Sequence, residues 1–172
     1  PMLSEAEQRE LLEDTRSEAQ WLIRVVENLL SITRIGEDQA HITKQPEAAE
    51  EVLGGAVQKF RKRFPQITVS VSAPDELLFV PMDPILIEQV LSNLLENAAI
   101  HGKTTTAIHL SVREENGLAL FSVRDDGRGI PEKDLPTLFD GPVKHTNENG
   151  GDGKTNMGLG LPVSLALVRA HN

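Results

Sequence analysis

The feature that most constrains this chain is an apolar segment with two asparagines one helical turn apart, residues 87–102, IEQVLSNLLENAAIHG. Read as a helix, the segment has one broad apolar stripe made of Ile87, Val90, Leu91, Leu94, Leu95 and Ala98. A second stripe is polar and contains Gln89, Asn93, Glu96 and Asn97. Because each asparagine costs a helix roughly 0.5 kcal/mol relative to alanine, the polar stripe needs an explanation.

Two readings of the polar stripe are open. It is either a solvated helix face, or part of a buried helix whose amides point into a cleft. The mostly apolar flanking residues favour the cleft. An amide oxygen is a neutral ligand that suits a hard cation such as Mg²⁺, which takes much of its coordination from water and substrate phosphates. The helix alone does not decide between the two readings.

A glycine-containing turn follows the alternating run Leu118, Leu120, Phe121 and Val123. Its sequence is DDGRGI, residues 125–130. Two glycines around one residue let the backbone turn sharply and approach a ligand, and Asp125 at the strand end can accept a hydrogen bond from an exocyclic amine. The alternative is an ordinary Asp/Gly turn.

A third segment, GLGL at residues 158–161, precedes an apolar helical pattern. A glycine-led helix start offers free N–H groups and a favourable dipole to a phosphate. A flexible loop before a packed helix would give the same pattern. Each of the three segments is ambiguous by itself.

In their order and spacing, the three segments resemble the ATP-binding domain of sensor histidine kinases, in the superfamily shared with type II topoisomerases, Hsp90 chaperones and mismatch-repair ATPases. The asparagine helix matches the N box, residues 125–129 the first glycine box and residues 158–161 the second. The resemblance covers nearly the whole chain. It implies an α+β fold, a two-layer α/β sandwich of the Bergerat type preceded by a long helix.

The resemblance implies roles for individual residues. Asn97 would bind Mg²⁺, and Asn93 would help to hold the metal or the phosphates, which makes both catalytic. The ATP-binding residues that it implies are Asn93, Asn97, His101, Asp125, Gly127, Gly129, Ile130, Lys154, Gly158, Leu159 and Gly160. Within that set, Asp125 would accept the adenine amino group, and the glycines would make room for the base and the phosphates.

The chain departs from the family pattern at several positions. Ile100-His101 stands where Lys-Tyr is usual, so His101 could still stack on the base while the phosphate cation is lost. Lys103, Lys144 or Lys154 could replace that cation, and Lys154 is our choice. Asp126 stands where Asn is common, and Asn156 where Gly often begins the second glycine box. Phe139 is the expected phenylalanine before the lid, but the usual second aromatic is missing.

The first 36 residues form a predicted domain of their own, a helix over about residues 4–35. Its apolar positions are spaced alternately by three and four: Leu12, Thr15, Ala19, Leu22, Val26, Leu29 and Thr33, widened by Leu11, Val25, Leu30 and Ile32. The helix either packs on its own domain or forms half of a dimerising hairpin. The resemblance favours the second helix of the dimerisation and phosphotransfer hairpin, whose first helix, with the phosphoacceptor histidine, this chain lacks.

The remaining residues, 37–172, are the predicted catalytic domain, which lacks the C-terminal strands of the family. We predict strands at residues 41–45, around Ile67, Val69 and Val71 (antiparallel) and at residues 77–80, and a helix over residues 47–63. Asp83-Pro84 begins the asparagine helix. Residues 107–113 and 118–125 form a hairpin around Asn116-Gly117. The glycine-rich residues 140–157 correspond to the lid over ATP.

The composition excludes some classes of function. A net charge of −9 argues against a nucleic-acid partner, and the absence of cysteine excludes disulfides and thiolate chemistry. No apolar run approaches ~18 residues and there is no signal peptide, which predicts a soluble chain without membrane contact. The length suits one domain with an appendage.

The function implied is transfer of the ATP γ-phosphoryl group to a histidine on the hairpin helix outside this chain, and from there to a response regulator. Within the family the chain looks most like the Kdp-type, potassium-responsive sensor kinases, which implies the cytoplasmic domain of a membrane-bound, homodimeric sensor. Two alternatives remain: a regulatory module that binds nucleotide without transferring phosphate, and an ATP hydrolase of the same superfamily. Asn93 argues against the hydrolase, because that branch keeps a glutamate there.

Overall fold

The computed structural model describes residues 4–36, 42–140 and 160–171. Within these ranges the helices are α1 (Glu5–Gly36), α2 (Ala49–Arg63), α3 (Pro84–His101) and α4 (Gly160–His171), with a short 3-10 helix at Glu132–Thr137. The strands are β1 (Gln45–Ala48), β2 (Thr68–Ser72), β3 (Phe79–Met82), β4 (Ala107–Glu115) and β5 (Leu118–Asp125). The chain is therefore an α+β protein, as the sequence predicted.

The strands of the described residues form two small sheets. β1 and β3 pair antiparallel, while β2, β4 and β5 form a three-stranded sheet in that order. β2 runs parallel to β4, with Val69 beside Ile108, so the antiparallel prediction for β2 was wrong. Alternating polarity shows only that one face of a strand is covered. The direction of β4 relative to β2 depends on the connection between them. Helix α3 lies in that connection and returns the chain to the end of the sheet where β2 began, so the two strands are parallel.

The central helix begins where the sequence predicted. The Asp83 carboxylate accepts hydrogen bonds from the backbone N–H groups of Ile85 and Leu86 at 3.0 and 3.1 Å, and Pro84 occupies the first turn. The β4–β5 hairpin is also confirmed. Asn116 and Gly117 at its turn have φ values of 53° and 77°, the left-handed conformation that a two-residue hairpin requires.

Three predicted element boundaries were displaced by about two to four residues. β1 covers Gln45–Ala48 rather than residues 41–45, α2 begins at Ala49 rather than at residue 47, and β3 covers Phe79–Met82 rather than residues 77–80. The register β1–β3, in which Ala48 faces Phe79, sets two of these boundaries. This pairing joins segments more than 30 residues apart, so local patterns could not specify it.

Two apolar clusters hold the layers together. In the larger one, α2 and α3 pack on the inner face of the sheet, and its fully buried side chains include Leu53, Leu91, Leu95, Ile108 and Leu110. The smaller one joins α3 to α4 through Leu86, Val90, Val163 and Leu167. The predicted apolar stripe of the asparagine helix is thus mainly divided between the two clusters, which fixes α3 as the centre of the sandwich.

Helix α1 keeps many of its apolar side chains in solvent. The described ones that are more than half exposed are Leu11, Leu12, Leu22, Ile23, Val26 and Leu30. The helix also touches the rest of the chain, because Gln89 of α3 donates a hydrogen bond to the Glu27 carbonyl oxygen at 3.3 Å. Among the helices that the structure describes, none combines the length and the apolar character needed to cross a membrane.

Candidate nucleotide-binding site

Asp125 ends β5 on the side of the sheet that the helices cover. It lies opposite Ile108 of β4, whose side chain is fully buried, and cross-strand partners share a face. One carboxylate oxygen of Asp125 accepts the Gly127 N–H at 2.9 Å. The other oxygen has no hydrogen bond within the described residues, so Asp125 can still accept one from a ligand.

The glycine turn after β5 lies directly against the C-terminal end of α3. A methyl group on Gly127 would lie 2.6 Å from the Thr105 hydroxyl oxygen and 2.8 Å from the Gly102 Cα atom, both too close for a real side chain. The Arg128 N–H also donates to the Gly102 carbonyl oxygen at 3.1 Å. Gly129 has a φ of 72°, a conformation that favours glycine. At position 127 a side chain would therefore collide with its neighbours, and at position 129 the backbone conformation favours glycine.

The two asparagines of α3 have different surroundings. The Asn93 amide nitrogen donates to the Gly160 carbonyl oxygen and to the Ser164 hydroxyl, both at 3.3 Å. These bonds use the amide nitrogen and leave the amide oxygen as an acceptor. Asn97, one turn nearer to the glycine turn, is half-buried and makes no side-chain hydrogen bond within the described residues. Both amide oxygens are therefore available as ligands.

The other members of the polar stripe contact neighbouring helices. Glu96 forms a 2.5 Å ion pair with Arg63 of α2, and Gln89 binds α1 as described above. Burial raises the pKa of the Glu96 carboxyl, and the nearby Arg63 charge only partly opposes that effect. Only the asparagines of the stripe are therefore candidates for binding a ligand.

Asp126 joins the end of β5 to the start of β4. Its carboxylate accepts the Thr106 hydroxyl at 2.6 Å and the backbone N–H groups of Thr106 and Ala107 at 2.8 and 3.0 Å. These bonds, first the Thr106 hydroxyl and then the Ala107 and Thr106 N–H groups, lower the pKa of Asp126 to about 2. Asp126 thus holds the strand ends together beside Asp125, a structural role for the departure from the family pattern noted at this position.

The remaining predicted residues lie around this arrangement or outside the described part. His101 is the exposed last residue of α3, Ile130 is 51% exposed after the glycine turn, and Phe139 is 44% exposed near residue 140. Gly160 is the first residue of α4. The predicted positions outside the described residues are Lys144, Lys154, Asn156, Gly158 and Leu159. The third candidate cation, Lys103, follows α3 closely and has a φ of 55°.

Sequence reasoning overlooked several residues that build the site. Thr105 and Thr106 bond α3 and Asp126, respectively, and Ser164 bonds Asn93. The run of three threonines at residues 104–106 was a usable signal, because threonine hydroxyls often bond nearby backbone groups. The partner of Thr105 is the nearby Ala98, whereas Thr106 bonds Asp126, 20 residues further along the chain.

The described residues contain no group of three or more His, Cys, Asp or Glu side chains that could hold a metal ion. The candidate donors on α3 are instead the two amide oxygens of Asn93 and Asn97. Such a set fits Mg²⁺ that takes most of its ligands from phosphates and water, rather than from a carboxylate cage.

Comparison with known proteins agrees with this geometry. Residues 82–172 match the family of histidine kinase-, DNA gyrase B- and HSP90-like ATPases. Sensor protein KdpD of Clostridium acetobutylicum is 36% identical over 170 residues, covering 99% of this chain and 19% of that protein. Sensor protein KdpD of Escherichia coli is 32% identical over 148 residues, covering 86% and 16%. The chain thus spans about a fifth or less of the length of these relatives.

A solved structure supports the fold independently. The Acinetobacter baumannii histidine kinase AdeS superposes with a TM-score of 0.68 at 20% identity, covering 99% of this chain and 76% of that one. At this identity the likeness shows the fold alone. The family match is the stronger finding, because it covers more than half of the chain and includes the asparagine helix and the glycine turn. The chain belongs to the family of histidine kinase-, DNA gyrase B- and HSP90-like ATPases.

Proposed function

We propose that this chain is the ATP-binding catalytic domain of a two-component sensor histidine kinase. The observation that carries the proposal is the close packing of the glycine turn after Asp125 against the C-terminal end of α3, the helix that bears Asn93 and Asn97. It brings a free carboxylate oxygen and two amide oxygens into one region of the fold. Adenine would bind at Asp125, and the phosphates would extend toward the asparagines and the start of α4.

At the adenine end, Asp125 would accept a hydrogen bond from the exocyclic amine through the oxygen that Gly127 leaves unused. Guanine carries a carbonyl oxygen at the corresponding position, so it would face a carboxylate with no proton between them. The unpaired acceptors would make guanine binding unfavourable. Gly127 and Gly129 have no side chains, so the backbone of the turn can approach the base closely. His101 and Ile130 are the proposed neighbours of the adenine ring.

At the phosphate end, the amide oxygens of Asn97 and Asn93 would hold Mg²⁺ together with the phosphates. When bound, Mg²⁺ neutralises charge on the phosphates during phosphoryl transfer. The contacts of Asn93 to Gly160 and Ser164 orient its amide with the oxygen free. Gly160 lies at the N-terminus of α4, where backbone N–H groups favour an anion. Gly158, Leu159 and Lys154 are proposed to complete the phosphate site.

The phosphoryl acceptor would be a histidine on a hairpin helix outside this chain, and a response regulator would receive the phosphoryl group from it. We assign residues 1–36 to the second helix of that hairpin and residues 37–172 to the catalytic domain. The exposed apolar residues of α1 support this assignment, because an apolar stripe in solvent suits a helical partner in a dimer. Positioning and charge neutralisation are the main requirements of such a transfer.

The similarity to KdpD sensor proteins supports a finer proposal, that the parent protein is a membrane-bound sensor involved in potassium or osmotic sensing. This chain would be its cytoplasmic catalytic end.

The second candidate function is a regulatory module that binds nucleotide without transferring phosphate. The apolar Ile100 favours this candidate, because Ile100 stands where a phosphate-binding lysine is usual.

The deciding experiment is calorimetric titration of the chain with a non-hydrolysable ATP analogue, with and without Mg²⁺, alongside Asn97→Ala. We expect binding that depends on Mg²⁺ and that weakens at least about tenfold in the variant. Glu96→Gln is the matched control, since Glu96 lies on the same helix but pairs with Arg63. Equal affinity of Asn97→Ala and the unchanged chain would remove the metal assignment.

A second measurement separates the two candidates. A supplied hairpin that contains the acceptor histidine is incubated with the chain and radiolabelled ATP. Label on the hairpin supports the kinase. Tight binding without any label on the hairpin would contradict the kinase proposal and favour the regulatory module.

A further inference from the structure

The loop between α3 and β4, residues 102–106, connects the two ends of the proposed site. It begins at Gly102, which caps α3 with its N–H 3.2 Å from the Ala98 carbonyl oxygen. The next residue, Lys103, has a left-handed φ of 55°, which is strained for a side chain with a Cβ atom. A loop that keeps such a residue must be held by its neighbours.

Thr105 attaches the loop to α3. Its hydroxyl donates a 2.7 Å hydrogen bond to the Ala98 carbonyl oxygen, the same oxygen that accepts the Gly102 N–H. Ala98 directly follows Asn97, so this bond acts on the backbone next to the proposed metal ligand. The hydroxyl is partly buried, which makes its hydrogen bond costly to lose.

Thr105 also lies close to the turn that carries Asp125, the residue proposed to bind adenine. The Thr105 hydroxyl oxygen and the nearer carboxylate oxygen of Asp125 both lie within 2.7 Å of the point that a Gly127 methyl group would occupy. One hydroxyl group is therefore bonded to the asparagine helix and packed against the turn that carries Asp125. A few ångströms of displacement at Thr105 would change the separation between the two ends of the site.

We propose that Thr105 is a positioning residue that sets the separation between Asp125 and Asn97. The inference rests on the proposed nucleotide site and adds to it a residue that need not touch the nucleotide. The hydroxyl, rather than the methyl group, carries the role, because only the hydroxyl bonds the Ala98 carbonyl. Asp126 holds the adjacent Thr106 and thereby keeps the loop in register with β5.

The first test uses the chain without nucleotide. Amide hydrogen exchange at Arg128 reports the contact between the turn and the helix end, because the Arg128 N–H bonds the Gly102 carbonyl. We expect Thr105→Val to speed exchange at Arg128 at least about fivefold and Thr105→Ser to leave it within about twofold. Thr68→Val is the matched control, an exposed threonine on β2. Unchanged exchange in Thr105→Val overturns the proposal.

The second test measures calorimetric affinities for Mg-ATP and Mg-GTP analogues. Thr105→Val should weaken ATP binding about five- to tenfold and reduce the preference for ATP over GTP, whereas Thr105→Ser should retain both. A uniform loss of both nucleotides, or an equal loss in the serine variant, overturns the positioning role. If the unchanged chain binds neither nucleotide, the proposed function fails, and with it the expected effect of Thr105 on nucleotide preference. Hydrogen exchange at Arg128 then still tests whether Thr105 holds the turn against the end of α3.

If Thr105→Val does not fold, Thr105→Ala replaces it. Alanine removes the hydroxyl that bonds the Ala98 carbonyl oxygen and adds no atoms to the turn. We expect the same reduced preference for ATP over GTP. An unchanged preference in a folded Thr105→Ala chain overturns the proposal.

Discussion

The side-chain amide nitrogen of Asn93 lies 3.3 Å from the carbonyl oxygen of Gly160, the first residue of α4. The contact joins two segments 67 residues apart. Ser164 reinforces it, because its hydroxyl donates to the same carbonyl oxygen at 2.8 Å. The proposed amide ligand and the proposed phosphate-binding helix start are therefore directly connected.

This connection predicts different results for its two side chains. Ser164→Ala removes one buried hydroxyl and should lower the free energy of unfolding by about 1 kcal/mol. It should lower nucleotide affinity by no more than about twofold, because the Gly160 carbonyl oxygen still orients the Asn93 amide. Asn93→Ala should lower Mg-nucleotide affinity about tenfold, because it removes a ligand as well as the link to α4. Urea unfolding and calorimetry measure the two effects. Equal nucleotide affinities in the two variants would contradict a ligand role for Asn93.

Asp125→Asn tests base recognition. The asparagine keeps an acceptor for the Gly127 N–H, but its second polar atom becomes a donor that repels the adenine amine. We expect affinity for ATP to fall about tenfold, with the preference for ATP over GTP reduced or reversed. Competition calorimetry with the two nucleotides measures this preference. An unaltered ratio would rule out adenine recognition by Asp125.

Asp126→Asn should destabilise the chain in a way that depends on pH. The Asp126 pKa is about 2 in the folded chain, below its ordinary value of 3.8. The ionised carboxylate therefore adds stability that is complete above pH 3.8 and is lost as the pH falls through about 2. The difference in urea midpoint between the two chains should be largest at neutral pH and shrink below pH 3.8. A constant difference at every pH would refute this account.

Glu96→Gln should be nearly neutral at pH 7. Burial raises the Glu96 pKa above its ordinary value of 4.5 despite the Arg63 ion pair, so the charged form is less favoured in the folded chain than in the unfolded chain. We expect a change in the free energy of unfolding within about 1 kcal/mol. The unchanged chain should gain stability relative to the variant as the pH falls toward 4.5. The opposite trend would show that the ion pair outweighs burial.

Local patterns were sufficient for much of the fold. The cap at Asp83, the Asn-Gly hairpin turn and the long apolar stripe of α3 were predictable because each depends on residues close together in the chain. The direction of β2 and the start of β1 were not predictable. Both depend on pairing with strands that are distant in sequence, so no local pattern records them.

The candidate site was likewise predictable from the sequence only in part. From sequence alone, the order of the asparagine helix, the turn after Asp125 and the glycine-led helix start identified the family and suggested the residues that we propose for ATP and Mg²⁺. The tertiary structure decided which polar residues of α3 remain available, because Gln89 and Glu96 are bonded to neighbouring helices. It also placed Thr105 between the helix and the turn. Such partners are chosen by packing between elements, and packing depends on the whole chain at once.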